Sequence, residues 1–241
     1  MDPTRLPVPL YHGTSTLFVD GIINSGLGGC NPLVQWKVLE FAKRIHPLVV
    51  QQLSDEDDWM VKVQSFGWMV DQKSAAMNFQ HGDTYLSPVR GTAIRYAANK
   101  RFGSELLTYT LDFLQELLRR KIPGVADDLY HEYPHIFGLL DISCAPLLVK
   151  VDEPSLDELL AENGGDAKPT LDYILATLRE NSTSAETQLQ QRNFRLRRAI
   201  PVARLMFWLV NVTRWNNFVP EYSLHLLHID GQGNDAYRTQ M

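Results

Sequence analysis

The sequence predicts an α+β fold. Helical periodicity dominates from Phe18 to Arg179, three strand-like runs crowd together after Phe194, and two short strand ends stand apart at Tyr11 and Tyr85. Val8–Ser15 reads as a strand ending in a polar turn. Phe18, Ile22 and Ile23 recur at helical spacing before Gly26, which suits a helix C-terminus. Leu39, Ala42, Ile45 and Val49 predict one long helix over Leu33–Leu53, ended by a solvated acidic loop at Asp55–Asp58. Phe66–Val70 is rich in strand formers and reads as a strand, and residues 73–83 as loop. After Thr84–Leu86, Ser87 and Pro88 fit an N-cap and first helical position, with Gly103 closing that helix.

Further along, Leu106, Tyr109, Phe113, Leu114, Leu117 and Leu118 predict a helix to Lys121. Pro146–Val151 reads as a strand, Ser155–Glu162 and Thr170–Arg179 as helices, and Asn181–Gln191 as a polar, mobile stretch. Strands are expected at Phe194–Ala199, Leu205–Val212 and Tyr222–Ile229, with a frayed end beyond.

Composition narrows the function. The 241 residues are 44% hydrophobic and 21% charged, which is globular rather than disordered. A net charge of −5 disfavours a globally basic nucleic-acid binder, since nonspecific affinity comes from neutralising phosphates. No apolar run is long enough to cross a bilayer, so no membrane partner is expected. The first residues lack a basic segment followed by an apolar run, and Cys30 and Cys144 cannot form a disulfide framework. A reduced, cytoplasmic protein is the expectation.

Three segments carry chemistry: Tyr11-His12-Gly13-Thr14; Tyr85-Leu86-Ser87 with Tyr96 eleven positions on; and Pro220-Glu221-Tyr222-Ser223-Leu224-His225. In order and context they resemble the ADP-ribosyltransferases of the His-Tyr-Glu class, the branch of diphtheria toxin and the poly(ADP-ribose) polymerases. The resemblance covers only these short segments. It implies an ADP-ribosyltransferase fold, two packed antiparallel sheets with helical insertions at about 31–80 and 104–180 in a single domain. It also implies that the His12 and Glu221 strands lie side by side at the centre.

The resemblance further implies NAD as substrate, with no metal. His12 would bind the adenosine ribose, Gly13 the carboxamide with Thr14 in support, Tyr85 and Tyr96 the two faces of the nicotinamide, and Glu221 would be catalytic. These residue types suit the chemistry. Cleaving the nicotinamide–ribose bond develops positive charge on the sugar, as in glycoside cleavage, and one well-placed electrostatic partner is worth roughly 3–4 kcal/mol of barrier. Aromatic faces hold the flat leaving group, and glycine lets the backbone approach it. Where polymerase relatives carry a serine three residues before the second tyrosine, this chain has Ala93, which points to single transfer rather than long chains.

The expected reaction is transfer of ADP-ribose to a protein or nucleic-acid acceptor with release of nicotinamide. By the same resemblance, a toxin of a toxin–antitoxin or phage-defence system is expected, with an antitoxin protein as partner. The alternatives are an NAD glycohydrolase, an RNA 2'-phosphotransferase-like enzyme, and a catalytically inactive binding module. Two other patterns compete. His131-Glu132-Tyr133-Pro134-His135 fits a zinc-protease signature, but Pro134 falls inside the helical turn that signature needs. Arg192, Arg195, Arg197, Arg198 and Arg204 form either one solvated strand face or a phosphate-contacting surface.

Overall fold

The computed structural model describes residues 5–72, 82–180 and 184–229. Strand β1 is Leu10–Ser15, and helix α1, Val19–Ser25, ends at Gly26 with φ 81°. The expected long helix is two: α2 (Pro32–Gln35), capped by Asn31, and α3 (Val38–Leu53). Lys37, at φ 52°, breaks them apart. The acidic run is only partly loop. Helix α4 (Asp57–Val70) starts inside it, with Asp57 and Asp58 in the first turn, where the helix dipole favours negative charge. The strand expected at Phe66–Val70 is therefore helix. Val63, Phe66 and Val70 are buried at three- and four-residue spacing, and that periodicity overrides local β propensity.

Strand β2 is Tyr85–Leu86, and helix α5 spans Arg90–Asn99. Its N-cap is Val89, two residues beyond the expected Ser87, whose hydroxyl instead accepts from the Val89 amide at 3.2 Å. Helix α6 (Glu105–Arg119) is capped by Ser104. Short helices α7 (Tyr130–Glu132) and α8 (Pro134–Gly138) are separated at Tyr133, φ −131° and ψ 51°, so Pro134 splits the zinc-protease pattern. Strand β3 is Pro146–Val151.

The helix expected at Ser155–Glu162 is a single 3-10 turn followed by strand β4 (Leu159–Ala161). A capping box between Ser155 and Glu158 fixes that turn. Helix α9 is Lys168–Arg179. The stretch expected to be mobile contains helix α10 (Ala185–Leu189), which buries Leu189. Strands β5 (Phe194–Leu196), β6 (Leu205–Asn216) and β7 (Val219–Leu227) follow. Residues 73–81 of the loop expected at 73–83, residues 181–183 of the polar stretch and the end from 230 lie outside the described residues.

The chain divides into two compact units: residues 1–30, 83–103 and 144–241, and residues 31–82 and 104–143. The second unit is helical and corresponds to the expected insertions, except that the later one stops at 143 rather than 180. Residues 144–180 belong with the sheets, because β3 and β4 lie there. In the helical unit, Phe41 packs edge-on against Tyr133, and the Phe66 and Phe113 rings pack at a tilt of 42°.

The first unit holds two antiparallel sheets, ordered β1-β3-β6-β7 and β2-β5-β4. They share one core: Leu10, Val149, Val151 and Phe207 from the larger sheet meet Leu86, Leu159, Phe194 and Leu196 from the smaller. The opposite face of the larger sheet carries α5, where Ala93 and Ile94 cluster with Leu148 and Val210. No helix among the described residues is long and apolar enough to cross a membrane.

Candidate functional site

Strand β1 stands between the two sheets. One edge pairs with β3 along its whole length. The other touches β2 through a single bridge, with the Tyr11 amide donating to the Ser87 carbonyl at 2.8 Å and the reverse bond at 2.7 Å. Beyond that bridge the strands part. Backbone groups alternate in direction along a strand, so the Gly13 N–H and C=O point to the same edge as those of Tyr11. They face the opening between β1 and β2.

His12 spans this opening. Its Nδ1 lies 2.9 Å from the Tyr85 carbonyl oxygen. Burial pushes the imidazole below its ordinary pKa, and the Tyr85 contact only partly opposes that. The ring is therefore neutral at pH 7. A carbonyl can only accept, so Nδ1 carries the proton and Nε2 is left as an acceptor. That atom suits a sugar hydroxyl.

Gly13 has a second reason to lack a side chain. A Cβ there would sit 1.9 Å from the Ala93 carbonyl oxygen and 3.1 Å from the Ala97 amide. Glycine thus lets α5 lie directly on β1. With Ile94 turned toward β3 and β6, helical geometry sends Thr92 and Tyr96, four residues apart, to the opposite flank. Among the described residues, the Thr92 hydroxyl is buried with no hydrogen-bond partner. Arg95 Nη2 reaches Gln190 Oε1 at 3.4 Å, which ties α5 to the segment entering β5. In β2, Leu86 enters the core, so Tyr85 and Ser87 turn to the α5 side. Tyr85 and Tyr96 therefore border one groove, between α5 and the outer face of the smaller sheet.

Thr14 is buried. It is 1% exposed, and its hydroxyl donates to the Gly103 carbonyl at 3.5 Å.

Glu221 does not join this group. Strands β1 and β7 are opposite edges of the four-stranded sheet, with β3 and β6 between them, so the expectation of side-by-side strands is corrected. His12 is in register with Val149, Phe207 and Leu227, whereas Glu221 pairs with Arg214. Those rows are separated by about 20 Å along the strands and about 14 Å across them. The cause is the long β6–β7 hairpin, which carries the Glu221 end of β7 far past the end of β1.

The arginine run is largely neutralised. Arg195 pairs with Asp83 at 3.0 Å, Arg198 with Asp157 at 2.5 Å and Arg204 with Glu158 at 2.6 Å, while Arg192 lies over the Tyr173 ring. Asp157 and Glu158, both in the 3-10 turn before β4, supply two of these partners. Among the described residues no group of three or more His, Cys, Asp or Glu could hold a metal ion. His135 of the zinc-protease pattern instead contacts the Trp36 carbonyl oxygen at 2.8 Å.

Two residues near the groove escaped the sequence reading: Asn193, whose Nδ2 donates to Glu162 Oε2 at 3.1 Å, and Glu162 itself. The available signal was the alternation of Leu159 and Ala161 with Leu160 and Glu162, hidden by the helical reading of that segment. Compared with known proteins, the chain matches no family model, no curated protein and no solved structure.

Proposed function

We propose that the groove bounded by β1, β2 and α5 binds NAD, and that the protein transfers the ADP-ribose moiety to a macromolecular acceptor with release of nicotinamide. The observation that carries this reading is the parting of β1 from β2 at Gly13. It offers one backbone donor and one acceptor to an opening that has a neutral imidazole on its core side, the face of Leu10, and two tyrosines on its α5 side. A carboxamide needs one acceptor and one donor, an aromatic ring needs flat faces, and a ribose hydroxyl needs an acceptor such as His12 Nε2. The acceptor is a protein or a nucleic acid, and a growth-arresting toxin is the setting this activity suits.

Incubation with labelled NAD and separate protein, RNA and DNA pools tests the reading. Label is expected in one pool, with nicotinamide released. Absence of NAD binding by calorimetry overturns it. A second reading, an NAD-binding module without chemistry, is favoured by the distance of Glu221 from the groove. It predicts binding with no nicotinamide release.

A further inference from the structure

Resting on the NAD reading, the geometry points to Glu162 as the carboxylate of this site, in the place the sequence assigned to Glu221, with Asn193 as its positioning residue. Strand β5 pairs Phe194 with Leu86 on one side and with Ala161 on the other. One step along both ladders, Ser87, Asn193 and Glu162 fall in a row. The Asn193–Glu162 hydrogen bond marks that row directly. Leu86, Phe194 and Leu159 enter the core, so alternation turns Ser87, Asn193 and Glu162 to the face that carries Tyr85. Two strand spacings, about 10 Å, separate Glu162 from β2, and three, about 14 Å, from Tyr11 of β1 in the same row, with none of the further offset along the strands that separates Glu221.

A second carboxylate on this face, Asp83, is neutralised by Arg195. Glu162 has a neutral amide as its partner. Among the described residues no cation pairs with it, so its negative charge is free to act on a cationic sugar.

In the reaction the bond between ribose C1′ and the nicotinamide nitrogen breaks, and its electron pair leaves with the ring, which becomes neutral. C1′ turns cationic beside the Glu162 carboxylate, which forms no bond to it. A lone pair of the acceptor nucleophile forms the new bond to C1′, and the acceptor's proton passes to water.

The full-length wild type and the Glu162→Gln, Asn193→Ala and Glu221→Gln variants are compared by calorimetry with NAD and by nicotinamide release. Glutamine can keep the bond to Asn193, and a matching melting temperature checks that the fold is kept. The expected result is unchanged NAD affinity for Glu162→Gln with release slowed about a hundredfold or more. Asn193→Ala is expected to lower kcat with little change in KM, and Glu221→Gln to behave as wild type. Wild-type release rates in Glu162→Gln overturn the inference, as does a wild type that binds NAD but releases nothing. A wild type that binds no NAD overturns the underlying reading instead.

Discussion

Gly13 and His12 show how single positions constrain the site. A methyl group at Gly13 would collide with the Ala93 carbonyl, and relief would require lifting α5 from β1. Gly13→Ala is expected to cost at least about 2 kcal/mol in urea unfolding, the range of an overpacked core. His12 makes a pH prediction. Its folded pKa is depressed by burial, so the unfolded chain binds the proton more readily. Its contribution to stability is present above about pH 6.5 and is lost as pH falls below that value. Stability measured from pH 7.5 to 5.5 should fall more steeply in the wild type than in His12→Asn, whose amide can donate to the same Tyr85 carbonyl.

Among the elements, the β6–β7 hairpin and the α6 C-terminus carry the clearest energetic signatures. The hairpin turns at Asn217 and Phe218, with φ 45° and 66°, the left-handed conformations of a two-residue turn. Phe218 is 89% exposed, so its ring recovers little by burial. Phe218→Gly is expected to stabilise the fold by about 1 kcal/mol in thermal unfolding, since glycine adopts this backbone without the Cβ clash. On α6, the Arg119 hydrogen bonds and then those of Arg120 hold Glu116 down to about 2, and Arg120 also grips Glu56 at 2.7 Å. A depressed carboxylate stabilises the folded state above its unfolded pKa and stops doing so as pH falls through its folded one. That contribution should therefore fade between about pH 4.5 and pH 2. Acid unfolding of Glu116→Gln should lack this component.

At the scale of the whole molecule, the groove residues all fall in the sheet-bearing unit, although they come from three separate stretches of chain. If NAD binds as proposed, hydrogen exchange should slow on its addition in β1, β2, α5 and the segment entering β5. Amides of α3 and α6 in the helical unit should be unaffected. Uniform protection of both units would place the ligand elsewhere.

Local pattern determined a good deal of this protein. Strand β3 has the bounds read from the sequence, and β1, β2, α1, α5, α6 and α9 follow from periodicity and punctuating glycines, because each is specified by residues within a few positions. His12 and Tyr85, singled out in the sequence, lie in hydrogen-bond contact. Tertiary structure decided the rest. It made β4 a strand by giving Leu159 and Ala161 a partner in β5, and it made Phe66–Val70 helical by burying one side of a longer helix. It also removed Glu221 from the groove and set the Asn193–Glu162 pair on the outer face of the smaller sheet. The physical reason is that a motif records residue types and order, whereas which carboxylate reaches a site depends on strand order and register, and those are fixed by contacts between residues distant in the chain.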